Sequence, residues 1–251
     1  MSEIEIHAAL VQGVFVVAVV TALLLLFVSA PYGRHARGGW GPQIDTRLGW
    51  IVMESPSVLW FLAVYLAGDH AFSFAPLVLL AIWQSHYVER TFLFPLKMRP
   101  GGRTPASVVA MGFLFNVVNA YVNARWIGHF GEYAAGWLLG WQFWLGAAIF
   151  VLGWRINRWA DAVLAGLRRP GETGYKIPRG GLYELVSCPN YLGELLEWIG
   201  WAIATWSLAG LSFAAFTAAN LVPRALTHHR WYREKFPEYP RGRRAIVPFV
   251  L

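Results

Sequence analysis

Charge is what this chain has least of. Only 14% of its 251 residues are Asp, Glu, Lys or Arg, against about a quarter in a soluble globular domain. With 57% hydrophobic and 16% aromatic residues, the deficit points to a membrane protein. The single cysteine, Cys188, excludes an intrachain disulfide and has no metal-ligand spacing around it, so it reads as a small buried residue rather than a reactive thiol, and no metal is expected. No GxGxxG follows a strand pattern, and neither GxxxxGK[ST] nor HExxH occurs, which excludes the common soluble nucleotide-binding domain and the zinc protease. Nothing resembles a nucleophile elbow. Internal repeats and low-complexity tracts are also absent.

What is there is a series of apolar runs. A spanning helix needs about 20 mostly apolar residues. Seven stretches fit, at roughly 8–29, 49–67, 72–96, 106–124, 134–155, 190–206 and 209–226. The first follows an acidic flank, MSEIEIH, and reads as a span rather than a removable signal peptide. The fifth continues as a helix to about Arg168. Between Arg168 and Cys188, Pro170, Gly171, Pro178, Gly180 and Gly181 mark turns. If alternate loops face opposite sides, every one of the 21 Lys and Arg residues except Arg125 falls on one side. The positive-inside rule makes that side cytoplasmic. The expectation is one all-α integral membrane domain, residues 1–251, with seven transmembrane helices, the N-terminus outside and the C-terminus cytoplasmic. The net charge of +7 then follows from topology and needs no nucleic-acid partner.

Polar residues recur at helical spacing where three of these runs meet the basic loops. Asn157, Asp161, Leu164 and Arg168 share one helical face. Asn190, Glu194, Glu197 and Trp201 repeat the pattern, and Arg224, His228 and Tyr232 give a third stripe. Interhelical salt bridges and snorkelling would account for any one of them. A charge near the bilayer centre costs about 2.5–3.5 kcal/mol, less towards the interface, so three stripes on one side favour a polar-ligand site. If the ligand is a nucleotide, its phosphates need arginines such as Arg34, Arg99, Arg168 and Arg224, whose planar fork suits them. Glu54 and Tyr87 lie roughly 8 Å and 15 Å inside the same boundary at 1.5 Å per residue, close enough to meet. A carboxylate can hold a phenol hydroxyl so that it donates to a substrate carbonyl and stabilises charge developing there. Arg90 is the alternative partner for Glu54, while His86 and Glu89 read as structural or interfacial.

The segments IPRGGLYELVSCPNYLGELLEWIGWAIATWSLAG and RALTHHRWYREKFPEYPRGRRAIVPFVL resemble the C-terminal region of the steroid 5α-reductases, and SHYVERTF, MESPS and PYGRHA extend the likeness over most of the chain. The resemblance implies a seven-helix membrane reductase that uses NADPH to saturate the 4,5 double bond of a 3-oxo-Δ4-steroid. It implies Glu54 and Tyr87 as the catalytic pair. It implies Tyr32, Arg34, Asn157, Asp161, Arg168, Tyr175, Asn190, Glu194, Arg224, His228 and Tyr232 as the cofactor set, and Trp50, Tyr191 and Trp198 as pocket aromatics. Met53 departs from the glutamine usual before the catalytic glutamate, and a thioether does not hydrogen-bond a 3-oxo group as an amide does. SCPNY is also similar to the trans-2-enoyl-CoA reductases, which are the nearest alternative, followed by a membrane methyltransferase or a lipid transporter. The partners expected are a steroid or other lipophilic enone and the bilayer, with the protein a monomer. A compact chain without a retention tail favours a bacterial inner membrane over the endoplasmic reticulum.

Overall fold

The computed structural model describes residues 1–169 and 171–251; Pro170, one of the turn markers, lies outside them. Among the described residues the apolar runs form seven helical rods. They are α1 (Glu3–Phe27), α2 with α3 (Thr46–Ser55, Phe61–Leu66), α4 with α5 (Phe74–Val88, Phe94–Lys97), α6 (Ala106–Arg125), α7 (Trp141–Gly166), α8 (Pro189–Thr205) and α9 (Leu208–Lys235). Wide π-turns at Pro56–Trp60 and Glu89–Leu93 join the paired segments, and a third, Trp126–Phe130, extends α6. Three rods, Glu3–Phe27, Thr46–Leu66 and Ala106–Phe130, are long and apolar enough by composition alone to cross a membrane. The chain is a helical membrane protein.

The structure differs from the sequence reading in two respects. The expected span at 134–155 starts as a helix only at Trp141, because Gly136 and Gly140 flank a separate 3₁₀ turn, Trp137–Leu139. The fold is also not purely helical. Strands β1 (Gln43–Asp45) and β2 (Arg103–Pro105) pair antiparallel, Ile44 opposite Thr104, and tie two basic loops together. Three residues a side is too short for a hydrophobic alternation to announce.

The tightest packing is between α7 and α8. Gly146 and Gly153 on α7 face Gly200 and Gly193 on α8, in antiparallel register. A Cβ at Gly193 would lie 2.4 Å from the Asn157 nitrogen, and one at Gly153 2.5 Å from the Glu197 nitrogen. With no side chain between them, the backbones themselves touch. In lipid, where burial against a neighbour gains little over burial against acyl chains, such close approach is a main source of helix association. Beside this pair lies an aromatic core. Trp83 stacks on Phe61 at 4.4 Å and packs on Trp198 at 5.3 Å and Trp201 at 5.2 Å between ring centroids. Helix α1 lies along α9, its start held by the Glu3–Arg125 ion pair at 2.6 Å.

The chain's end folds back over the loop before α8. Ser187 and Cys188 donate their amide N–H groups to the carbonyls of Arg244 and Ala245, at 2.8 and 3.1 Å. Arg243 is buried, donating to the Pro178 carbonyl at 3.0 Å. Cys188 is buried as expected, and desolvation pushes its thiol up to about 12.

Gly193→Ala should lower the thermal midpoint in detergent by several degrees, since overpacking at backbone contact costs about 1–3 kcal/mol. Gly166→Ala, where a Cβ meets nothing within 4 Å, should leave it unchanged. Equal midpoints for the two variants would contradict the backbone contact.

Candidate functional site

Glu54 and Tyr87 each stand two residues before a π-turn. At Glu54 the cause is legible: Pro56 has no N–H, so the Val52 carbonyl loses its helical donor, and the Ser55 hydroxyl donates to it instead at 2.9 Å. The widened helix then presents further carbonyls to donors on other elements. Asn116 donates to Met53 O at 2.8 Å, Trp83 to Ser57 O at 2.8 Å and Gln84 to Val58 O at 3.1 Å. Opened backbone in a membrane needs such partners, and π-bulges of this kind are frequent at functional sites. The Glu54 carboxylate itself accepts from Asn116 Nδ2 at 3.2 Å.

Tyr87 is buried on α4, its ring stacked on Trp198 at 5.4 Å. Its hydroxyl lies beside that of Ser57 and has no carboxylate or carbonyl partner among the described residues. The direct Glu54–Tyr87 contact expected from their depths is not among the hydrogen bonds formed; Asn116 occupies the carboxylate. Next to Tyr87, His86 and Glu197 form a fully buried pair at 2.5 Å. His86 is thus an interior group and not an interfacial one.

Arg90, in the π-turn after Tyr87, is the junction between this part and the next. It reaches Asp161 on α7 and Glu194 on α8, both at 3.4 Å, and not Glu54. Asn190 donates to Asp161 at 3.1 Å, and Asn157 donates to the Asn190 carbonyl at 3.0 Å. Trp50 donates to the Arg90 carbonyl at 3.0 Å and lies under its guanidinium at 4.8 Å. Burial raises the Asp161 carboxyl, opposed by Arg90.

A second cluster lines a cavity of about 260 Å³ bounded by Tyr32, Arg34, His35, Tyr175, Arg224 and His228, among others. The Arg34 guanidinium lies over Tyr175, Trp231 and Tyr232 at 4.7–5.3 Å. Arg224 lies over Tyr32 and Tyr191, both at 5.1 Å. Arg34 Nη1 and Arg224 Nε are buried with no acceptor among the described residues. Arg224 donates to the Tyr191 hydroxyl at 2.9 Å, and that hydroxyl is left to donate to His228 Nε2 at 3.1 Å. His228 Nδ1 then donates to His35 Nε2 at 3.0 Å. Burial, with Arg34 and Arg224, holds His228 far below the ordinary histidine value, and His35 is lowered for the same reasons.

The structure therefore groups the sequence candidates into two neighbourhoods. Asn157, Asp161, Asn190, Glu194 and Trp50 gather at Arg90. Tyr32, Arg34, Tyr175, Tyr191, Arg224 and His228 line the cavity, with Tyr232 under the Arg34 guanidinium. Arg168 joins the second, over Tyr175 at 5.3 Å. Met53 points towards α6, where a Cβ at Gly112 would meet its sulfur at 2.4 Å. Sequence reasoning missed four residues in these roles: Arg90, His35, Trp231 and Asn116. Arg90 could have been found from its i, i+3 relation to Tyr87. Asn116 sits in an apolar run with no local signal, and only the tertiary fold reveals its partner.

The chain is similar to known proteins over most of its length. A family model described as 3-oxo-5-alpha-steroid 4-dehydrogenase matches residues 102–251. The chain is 46% identical to the steroid 5-alpha-reductase DET2 of Gossypium hirsutum, over 94% of each protein. It is 44% identical to DET2 of Arabidopsis thaliana, over 92% of this chain and 91% of that one. It is also 44% identical to the 3-oxo-5-alpha-steroid 4-dehydrogenase 1 of Rattus norvegicus, over 93% of this chain and 91% of that one.

The lowered histidines make stability pH-dependent. As pH falls through about 6.5 the unfolded chain takes up a proton that folded His228 does not, so stability is lost downward from there. The thermal midpoint should fall between about pH 7.5 and 5.5, and His228→Gln should flatten that slope. His35 and His229, also lowered, leave a residual dependence. An unchanged slope in the variant would contradict a neutral, buried His228.

Proposed function

The chain belongs to the 3-oxo-5-alpha-steroid 4-dehydrogenase family, and we propose that it saturates the 4,5 double bond of a 3-oxo-Δ4-steroid with NADPH as reductant. It is an oxidoreductase of steroid metabolism that works in a membrane. The observation that carries the cofactor assignment is the cavity at Arg34 and Arg224. Two half-buried arginines there each hold a buried N–H group with no acceptor among the described residues, beside a wall of tyrosine and histidine. Phosphate oxygens satisfy such donors, and flat rings stack on such walls. The donor set therefore fits a dinucleotide. Tyr32, Arg34, Tyr175, Arg224, His228 and Tyr232 would hold its phosphate-bearing part, with Arg168 beside them. Asn157, Asp161, Asn190 and Glu194, gathered by Arg90, would hold the part nearer the substrate.

When bound, NADPH supplies the hydride for C5 of the enone. The protein's own part is orientation and electrostatics. The Tyr87 hydroxyl, beside Ser57, donates to the 3-oxo oxygen and stabilises the negative charge that builds there as the double bond is reduced. Glu54, at the opened end of α2, faces the phenol electrostatically and keeps it directed at that oxygen. The resulting substrate enolate takes a proton at C4. Trp50, Tyr191 and Trp198 wall the apolar part of the pocket. Met53, seated against Gly112, leaves the carbonyl to Tyr87 without an amide donor from that position.

In this reading the seven rods of the single domain, residues 1–251, all cross the bilayer. The basic loops, already linked by β1 and β2 and by the Arg90 junction, face the cytoplasm, and Glu3 and Arg125 face outside. The steroid enters from lipid and the nucleotide from the basic side. The protein acts as a monomer, in a bacterial inner membrane.

Purified protein with NADPH should convert a 3-oxo-Δ4-steroid to its 5α-dihydro product faster than it reduces a trans-2-enoyl-CoA. Tyr87→Phe should lower kcat about 100-fold with KM within a few-fold, the signature of an interaction made in the transition state. Full turnover in Tyr87→Phe would overturn the role given to Tyr87.

A further inference from the structure

We propose that Asn116 is a positioning residue for Glu54, fixing the direction of its carboxylate and favouring its charged form. The inference rests on the reading of Glu54 as a catalytic carboxylate. Asn116 lies on α6, 6% exposed, and its amide nitrogen spends its donors on one short stretch of α2: Met53 O at 2.8 Å and Glu54 Oε2 at 3.2 Å. The first bond holds the main chain where Pro56 opens the helix. The second holds the side chain that projects from that opening. One turn earlier on α6, Gly112 makes room for the Met53 thioether. This face of α6 is therefore shaped around residues 53 and 54, by an absent side chain at one position and an amide at the next turn.

A purely structural account explains only one of the two bonds. The donor to Met53 O satisfies a carbonyl of the opened helix, but nothing in the backbone requires the amide to reach the Glu54 carboxylate as well. The other asparagines on this face show what a structural role looks like. Trp201 donates to Asn123 Oδ1 at 2.8 Å and Asn123 donates to Asn119 Oδ1 at 3.0 Å, neither of them touching Glu54. A hydrogen bond to the ionised form of a carboxylate favours that form and restricts its orientation. Arg90, Glu194, His86 and Tyr87 also face Glu54 electrostatically. Of the groups around it, Asn116 is the one whose hydrogen bond fixes the carboxylate, whereas the rest act through charge at a distance.

The test compares Asn116→Leu, which removes both donors at similar volume, with the unaltered protein and with Glu54→Gln. Binding of NADPH, read as a thermal shift, reports whether each variant is folded. The Glu54→Gln variant identifies the limb of the pH–kcat profile that belongs to Glu54, because that limb disappears. In Asn116→Leu the same limb should move upward by about one pH unit, and kcat should fall about tenfold with KM within a few-fold. Should the leucine variant fail to show the NADPH shift, Asn116→Ser, which keeps one donor, should show a smaller upward displacement. A limb at the original pH in whichever variant is folded overturns the role of Asn116. Unchanged activity and an unchanged profile in Glu54→Gln would instead overturn the reading of Glu54, and this inference with it.

Discussion

Helices α7 and α8 approach until backbone meets backbone, with Gly146, Gly153, Gly193 and Gly200 giving up their side chains to allow it, and the polar end of the molecule depends on that approach. At this separation Asn157 reaches the Asn190 carbonyl, and Asp161 and Glu194 come to lie on either side of Arg90. A Cβ at any of the four glycines would push the helices apart and separate the two carboxylates. Arg90 would then face one carboxylate and leave the other uncompensated in a buried place, the costly way to break a buried charge network. Arg90 also carries the constraint onward. It lies three residues after Tyr87, so the position of α4 against α7 and α8 and the position of the phenol are set together.

A second device depends on the first. The helices bearing Glu54 and Tyr87 are both interrupted two residues later by π-turns, and an interrupted helix inside a membrane must find donors for its freed carbonyls. For α2 those donors come from α4 and α6, through Trp83, Gln84 and Asn116. Trp83 in turn sits in the aromatic core against Trp198 and Trp201 of α8. The opened helix is thus braced by the same helix that the glycines seat on α7. Rigidity at the core and irregularity at the candidate catalytic residues are two results of one packing arrangement.

Much of this was legible in the sequence because it is periodic. The apolar runs announced the rods, and the i, i+4 spacing put Asn157 with Asp161, Asn190 with Glu194, and Arg224 with His228 on shared faces that the fold then brings side by side. What was not legible depends on separations of many residues. Nothing near Asn116 points to Glu54, and nothing near His86 points to Glu197, because both partners are chosen by how helices dock. The start of α7 was misplaced because alanine and glycine at 134–136 look apolar but do not hold a helix. The β1–β2 ribbon was missed because three-residue strands carry no pattern. The hydrogen-bond partner of Glu54 was misassigned for a related reason: depth along a helix axis says how far in a side chain lies, but not which way it turns.

The central claim is that these two neighbourhoods serve one reaction, with a nicotinamide cofactor at the basic end and an enone carbonyl at Tyr87 and Glu54. Isotope tracing tests it most directly. The purified protein would be supplied with NADPH deuterated at the transferable position and with a 3-oxo-Δ4-steroid, and the product examined by mass spectrometry and NMR. The account predicts one deuterium per molecule, at C5 and on the α face, with the C4 hydrogen drawn from solvent. Product without label, or label at C4 instead, would contradict it.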